Sequence, residues 1–174
     1  MPEEPVIIDI RAATCTIANR QAFLDELRAL AAAHAMHIIC FNADMIAGKA
    51  HAEMAVRLAC RAFDESTAIS NTLEMEALLY AAGSRQCTIA SPFGIHEGEN
   101  RLFVCCVPAR PDCQVPLSRM FQDSCEDWDC IDPEKAGRLK ALFALTADEV
   151  SAAGGDSRLA DLVLERIALL QVLR

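Results

Sequence analysis

Residues 39–90 constrain the fold more than any other part of the chain, because two helical patterns follow each other there between two apolar runs. The first pattern predicts a helix over 44–63. Asn42 or Asp44 is the predicted N-cap, since either side chain can accept a hydrogen bond from a free backbone N–H. Short continuous apolar runs are typical of buried strands. Two strands are therefore predicted beside the helix pair, at 37–41 and 87–90.

The second helix of this segment is predicted over 72–82 and is apolar nearly all round. A helix without a polar face is typical of a central, buried position. Asn71 and Glu74 have the spacing of a capping box at its start. Gly83 suits the left-handed residue that ends many helices.

Two polar residues of the helix pair are predicted to point inward. Glu76 lies within the buried helix, where a carboxylate without a partner is costly. Arg85 or His51 could be that partner, or Glu76 could accept a nucleobase amine, as glutamate does for cytosine. His51 lies about 200° around its helix from Lys49 and so faces the interior. The alternatives for His51 are a hydrogen-bonded core residue, a nucleobase contact at the rim of the core, and a metal or catalytic role.

The outer face of the first helix carries charged residues at successive four-residue steps. They are Lys49, Glu53, Arg57 and Arg61. Glu53 before Arg57 is the favourable order for an ion pair on a helix. The stripe is therefore either a solvated face or a basic edge for a phosphate backbone.

Capping signals and apolar periodicity predict the remaining elements. Helices are predicted over 20–35 after Asn19, over 117–122, over 133–144 after Asp132, from the Thr146–Glu149 capping box to Gly154, and from 157 or 158 to the end. Strands are predicted at 6–10, at an edge or second in the sheet, and at 102–107, antiparallel to 87–90. This order indicates an α/β (α+β) fold, and 174 residues suit one compact domain.

The last helix carries two apolar stripes. Leu159, Val163, Ile167 and Leu170 form a core stripe, and Leu162, Leu169 and Leu173 form a second one. The two together are wider than one core face needs. The second stripe either meets another chain or is buried within this domain.

The composition limits the classes of function. A formal net charge of −9 repels polyanions at long range, so any RNA contact must be local or shared with a partner. The nine cysteines include no C-x-x-C pair, which favours reduced, mostly buried thiols over a zinc or redox site. The longest uncharged stretch, 29–43, is too short to span a membrane, and the acidic start is unlike a signal peptide. We expect a cytoplasmic protein that uses no metal or other cofactor.

Sequence signatures of catalysis are absent. The chain has no G-x-S-x-G elbow, P-loop, H-E-x-x-H or G-x-G-x-x-G after a strand. His51 and Glu53 match the first half of a zinc-deaminase signature, but no P-C-x-x-C follows. Cys40 or Cys87 paired with His51 leaves a small thiol-dependent enzyme as an alternative. We expect the chain not to be an enzyme.

Four segments resemble the TPRKB-like (CGI-type) small subunit of the KEOPS complex: NADMIAGKAH, AISNTLEMEALLYAAGSRQ, GENRLFVCCV and LVLERIALL. They follow the order of that family, and the run at 68–86 is the most specific. Residues 110–132 bring no family motif, and Cys87 stands where the family usually has an aliphatic residue. The resemblance implies a compact α/β domain with a mainly antiparallel sheet flanked by helices.

The resemblance also implies a role in the assembly that installs threonylcarbamoyl on the adenosine beside the anticodon of certain tRNAs. In that family the small subunit is not the enzyme; it binds the small atypical protein kinase/ATPase subunit and the single-stranded 3′ CCA end of tRNA. Predicted RNA-binding residues are Lys49, His51, Arg57, Asn71, Glu76, Arg85 and Gln86. Predicted kinase-binding residues are Leu162, Arg166, Leu169 and Leu173. The alternative is a purely protein-binding scaffold or kinase regulator without direct RNA contact.

Overall fold

The computed structural model describes residues 4–172. Within that range the chain forms four strands, eight helices and three short 3-10 turns. The strands are β1 (Asp9–Ile17), β2 (His37–Asn42), β3 (Gly98–Val107) and β4 (Gln122–Asp123). The helices are α1 (Arg20–Ala33), α2 (Lys49–Asp64), α3 (Leu73–Ala82), α4 (Cys87–Ala90), α5 (Gln114–Met120), α6 (Pro133–Leu142), α7 (Ala147–Ala153) and α8 (Leu159–Val172). The predicted α+β class is confirmed.

The strands form one antiparallel sheet in the order β2-β3-β1-β4. β1 and β3 pair along their whole length, from Asp9 opposite Cys106 to Ile17 opposite Gly98. β2 pairs with β3 and lies at one edge of the sheet. The opposite edge carries only the two residues of β4.

Each face of the sheet has its own hydrophobic core, because side chains alternate along a strand. Phe103, Cys105 and Val107 of β3 join the larger core, which α2, α3, α6 and α8 complete. The intervening side chains of β3 join a smaller core with α1 and α5. Residues of α2, α3 and α8 that are candidates for function therefore all lie on the same side of the sheet.

Helix α3 is the central element of the larger core. Leu79, Tyr80 and Ala81 are each 1% exposed or less, and the helix packs against α2 and α8. The prediction from its all-round apolar pattern is confirmed. Each apolar face of this helix stabilises the fold when it is removed from water, so the helix is most stable where all its faces are buried.

Predictions that rest on local capping chemistry are confirmed. Asn19 caps α1 and Asp132 caps α6 through side-chain oxygens. Thr146 and Glu149 form a complete capping box at α7. Gly83 ends α3 in the left-handed conformation, with φ 60°.

The strand predicted at 87–90 is wrong, because these residues form α4. The N–H groups of Ile89 and Ala90 both donate to the carbonyl oxygen of Gln86, which closes a local helical turn. Cys87, Thr88 and Ile89 are exposed, so the run lacks the burial on both faces that its apolar pattern suggested. The strand over 98–107 pairs with β1 and β2 instead.

The caps predicted for α2 are also wrong. The Asn42 side-chain oxygen accepts a hydrogen bond from the Asp44 N–H at 3.0 Å, which forms a local turn well before the helix. α2 begins at Lys49, after Gly48. The Lys49 N–H donates to Oδ1 of Asp129 at 2.6 Å, so a carboxylate distant in sequence caps this helix.

Two further boundaries differ from the prediction. Thr72, not Asn71, caps α3, and its hydroxyl accepts from the Met75 N–H at 3.3 Å. The strand predicted at 6–10 starts at Asp9 and continues to Ile17, between β3 and β4. Cross-strand pairing with β3 extends it beyond its β-branched run.

Candidate functional site

His51 is a core residue with both ring nitrogens engaged. Nδ1 accepts a hydrogen bond from the Ala47 N–H at 2.9 Å, so Nε2 carries the proton and donates to the Ala81 carbonyl oxygen at 2.8 Å. The ring is 1% exposed and lies edge-on to Phe143, with centroids 5.7 Å apart. Burial lowers the pKa of His51 to about 4, so the ring is neutral. The interpretation as a hydrogen-bonded core histidine is confirmed, and an RNA contact by His51 is excluded in this fold.

Glu76 is fully buried and holds the loop before α3. Its Oε2 accepts hydrogen bonds from the Ile69 N–H at 3.0 Å and the Ser70 N–H at 2.8 Å. The backbone of a neighbouring loop therefore supplies partners for Glu76, whereas His51 bonds elsewhere through both ring nitrogens. The prediction that Glu76 contacts RNA is wrong for the same reason, since no nucleobase reaches a carboxylate with 0% exposure.

Three predicted RNA-binding residues lie together at one end of the helix pair. The hydrogen bond from His51 to Ala81 joins the first turn of α2 to the last turn of α3. Lys49 begins α2, and Arg85 and Gln86 follow the end of α3, so these three exposed residues lie at the same end of the helix pair. We call Lys49, Arg85 and Gln86 the polar corner.

The other two predicted RNA-binding residues lie away from the polar corner. Arg57 is eight residues, about 12 Å, along α2 from Lys49. It pairs with Glu53 at 2.9 Å, in the predicted ion-pair order. Asn71 lies before the start of α3, while the polar corner follows the end of that helix. The structure therefore does not bring the predicted set into one site.

The segment 110–132 contributes residues that the sequence did not single out. Trp128 is 4% exposed and packs edge-on against Phe103, with centroids 5.5 Å apart. The Arg101 guanidinium lies over the indole, 5.3 Å from its centroid. Asp129 caps α2 next to Lys49. No local motif predicts these contacts, because each partner lies at least 25 residues away in the chain.

The second apolar stripe of α8 is only partly buried by the protein itself. Leu162 is partly buried against the larger core, whereas Leu169 is 42% exposed. Val172, three residues further on the same side of the helix, is 76% exposed. Leu173 lies outside the described residues. We call Leu169 and Val172 the α8 patch. The sequence analysis did not include Val172, because the second apolar stripe was assigned to leucines and took the next residue, Leu173.

The polar corner and α8 are adjacent. A Cβ placed on Gly83 would lie 3.9 Å from Cγ2 of Ile167 and 3.8 Å from the ring of Phe143. Gly83 immediately precedes the corner, and Ile167 lies on the inner side of α8, two residues before Leu169. The end of α3 that leads to the polar corner therefore packs against the inner side of α8.

Comparison with known protein families finds a match over residues 15–171 with the family described as kinase binding protein CGI-121. The chain belongs to this family. The match runs through residues 110–132 as well, although that segment carries no motif of the CGI-121 family that the sequence alone revealed. The family supports a protein kinase as partner. No curated protein matches the chain.

In this member of the CGI-121 family, Arg166 holds helices together. Its Nε donates to the Phe143 carbonyl oxygen and its Nη2 to the Ala144 carbonyl oxygen, each at 3.2 Å. Nη2 also lies 3.1 Å from Oε2 of Glu149. These contacts join α8 to the loop after α6 and to the first turn of α7. With these intramolecular bonds, Arg166 stabilises the packing of α8, and only the rest of its surface can make the predicted kinase contact.

The cysteines offer no activated nucleophile of the predicted kind. All nine are free thiols, and Cys40, Cys105, Cys106 and Cys113 are buried. Burial raises the pKa of Cys15 to about 11 and that of Cys106 to about 12. His51 cannot act as the base for Cys40 or Cys87, since both its ring nitrogens are bonded to the backbone.

Residues 4–172 contain no group of three or more His, Cys, Asp or Glu side chains placed to bind a metal ion. No helix in the same range combines the length and apolarity needed to cross a lipid bilayer.

Proposed function

We propose that this chain is a non-catalytic, kinase-binding subunit of a cytoplasmic KEOPS assembly, and that it also holds the 3′ CCA end of the tRNA to be modified. The observation that carries the proposal is the match to a kinase-binding family over nearly the whole chain. The tRNA part rests on the resemblance of the 68–86 run and on the exposure of the polar corner, whose residues Arg85 and Gln86 end that run.

The α8 patch is the proposed contact for the kinase subunit. Exposed leucine and valine side chains three residues apart suit a helix that lies against another protein. Arg166, fixed by Phe143 and Glu149, keeps α8 in one orientation and so presents the patch without further ordering. A surface that is already ordered loses less entropy on binding.

The polar corner is the proposed contact for the tRNA tail. Lys49 and Arg85 supply positive charge, and Gln86 supplies both a donor and an acceptor for a base edge. Single-stranded RNA is held by a few such contacts together with base stacking. Two charges bind weakly on a chain of net charge −9. Tethering within an assembly compensates through effective concentration.

A protein-binding scaffold without RNA contact is the second candidate. The Asp129 carboxylate, bonded to the Lys49 N–H, places a negative charge at the polar corner. That charge opposes a phosphate, and it favours this alternative.

Two measurements test the proposal. The first is co-purification of the chain with the atypical kinase/ATPase subunit; failure to form a complex overturns the kinase-binding role. The second is a titration with tRNA and with the same tRNA lacking CCA. Weaker binding of the truncated tRNA supports the RNA role. If both tRNAs bind equally, or if neither binds, the protein-binding scaffold without RNA contact is the function that remains.

A further inference from the structure

Strand β2 has a free edge whose hydrogen-bonding groups can be assigned. The Ala43 N–H donates to the Arg101 carbonyl oxygen at 2.8 Å. In an antiparallel ladder the hydrogen-bonded pairs alternate, so Phe41 and Ile39 also bond to β3. Ile38 and Cys40, the residues between them, direct their N–H and C=O groups away from the sheet.

These outward groups lack partners within the described part of the chain. No hydrogen bond from residues 4–172 reaches the N–H or C=O of Ile38 or Cys40 on that side. Ile38 and Cys40 are 5% and 8% exposed and line a cleft at this edge. Unpaired N–H and C=O groups on an edge strand are a template for pairing with another chain. The unpaired stretch lies between His37 and Asn42, whose side chains bond to Glu74 and to the Pro92 carbonyl oxygen.

A cleft of about 240 Å³ opens along this edge, between α1 and α3. Its surface is mainly apolar and includes Leu24, Leu27 and Ala31 of α1, with Leu78 and Ile95 on the other side. The volume is below the range of about 300–1,000 Å³ usual for small-molecule sites. It suits side chains inserted from a segment that lies along β2.

The wall formed by α1 is positively charged at its rim. Arg20 and Arg28 both line the cleft and lie eight residues, about two helical turns, apart. Arg20 is fixed by a 3.2 Å hydrogen bond to the Ile95 carbonyl oxygen. The Arg28 side chain is 67% exposed, and its Nη1 lies 3.7 Å from Oδ1 of Asp25. Glu74 of α3 also lines the cleft, and its Oε1 lies 2.8 Å from Nδ1 of His37, so the positive charge is confined to the α1 side. On that side the two guanidinium groups attract carboxylates.

We propose that the free edge of β2 binds an extended acidic-apolar segment of a partner protein as a fifth strand of the sheet. The segment pairs with the backbone of Ile38 and Cys40 and inserts an apolar side chain into the cleft. Its carboxylates face Arg20 and Arg28. Addition of a strand to an exposed edge is a recurrent mode of peptide recognition, in which backbone bonds give affinity and pockets give specificity.

A second copy of this chain fits the edge less well. Antiparallel pairing of two β2 strands around a two-fold axis keeps α1 of both copies on the same face of the joined sheet. Arg20 and Arg28 of one copy then face the same arginines of the other, and like charges in an interface disfavour association. The proposal concerns the sheet edge alone and does not depend on the tRNA or kinase roles.

In the experiment, a library of displayed random peptides of about twelve residues is selected for binding to the folded full-length chain. One selected peptide is then synthesised, and its binding to the chain is measured. Amide hydrogen exchange of Ile38 and Cys40 is expected to slow at least about tenfold on binding. Methylation of the peptide nitrogens at alternate residues is expected to weaken binding at least about tenfold, and methylation at the intervening residues to leave it unchanged. R28E is expected to weaken binding about fivefold or more, whereas the control R61E, an exposed arginine on α2, is not.

Three results would overturn the proposal. The first is the absence of any selected peptide that protects the amides of Ile38 and Cys40. The second is a concentration-dependent dimer of the chain that protects these amides without peptide. The third is their protection by single-stranded RNA ending in CCA but by no peptide.

Discussion

His51 and Ala81 are joined by a 2.8 Å hydrogen bond from Nε2–H of the ring to the backbone carbonyl oxygen. The bond connects the N-terminal turn of α2 with the C-terminal turn of α3, the two helices that carry the polar corner. It requires a neutral ring, because Nδ1 must accept from the Ala47 N–H at the same time. The corner is therefore built on a histidine that has to stay unprotonated.

The first prediction concerns stability against pH. The pKa of His51 is lowered to about 4 in the folded state, mainly by burial, from an ordinary value of about 6.5. Above pH 6.5 neither state binds the proton. As the pH falls from 6.5 to 4, only the unfolded chain takes it up, so the free energy of unfolding falls, by up to about 3 kcal/mol.

Urea unfolding at pH 7.5, 6 and 5 measures this loss. The other three histidines are present in both proteins, so the loss assigned to His51 is the difference from H51Q, which is expected to be less stable at pH 7.5 but to lose less on acidification. A folded-state NMR titration of His51 near 6.5 would contradict the prediction.

The second prediction compares two glycine substitutions. Gly48 has φ 148°, and an added Cβ would lie 2.5 Å from Oδ1 of Asp129, the carboxylate that caps α2. G48A is expected to lower the free energy of unfolding by about 1–3 kcal/mol. Gly137 lies inside α6 with no atom within 4 Å of an added Cβ. G137A is expected to raise the free energy of unfolding by about 0.5–1 kcal/mol. Equal effects in chemical denaturation would show that the contact with Asp129 does not matter.

The third prediction concerns the α8 patch. L169E is expected to weaken kinase binding at least about tenfold, since it places a charge in an apolar contact. Leu169 is 42% exposed, so thermal stability is expected to change by less than about 1 kcal/mol. V115E is the control, because Val115 is 64% exposed on α5, across the sheet from α8. Unfolding of L169E would instead identify the residue as core, and equal loss with V115E would remove the patch as the interface.

The fourth prediction concerns the polar corner. R85A and Q86A are each expected to weaken tRNA binding about three- to tenfold, with the free energy of unfolding unchanged within about 1 kcal/mol. R119A, at an exposed position on α5, is the control for loss of one positive charge. The loss is expected only with tRNA that carries CCA. An equal loss with R119A would indicate a general electrostatic effect and no site at the corner.

Local chemistry explains which parts of the fold could be predicted. Asn19, Asp132 and the Thr146–Glu149 pair cap helices through atoms three residues away, so the sequence window contains both partners. The all-round apolar pattern of α3 likewise required burial, whatever surrounds it. The inward direction of His51 followed from helical periodicity alone.

Contacts between distant residues explain the errors. The cap of α2 comes from Asp129, 80 residues after Lys49, and Glu76 accepts hydrogen bonds from the loop backbone at Ile69 and Ser70. The run at 87–90 has strand composition, but its first three residues are exposed, and a local helical turn forms because no neighbouring strand pairs with the run.

The sequence by itself determined the buried central helix, most helix caps and the class of fold, because periodicity and capping act within a few residues. Only the tertiary structure decided which candidates meet: it separated Arg57 and Asn71 from the polar corner and buried Glu76. Among residues 4–172 it also left the outward N–H and C=O groups of Ile38 and Cys40 without a hydrogen-bond partner. Strand order and helix packing depend on the apolar surface that both cores bury together. That surface comes from residues far apart in the chain, so it cannot be read from any short stretch of sequence.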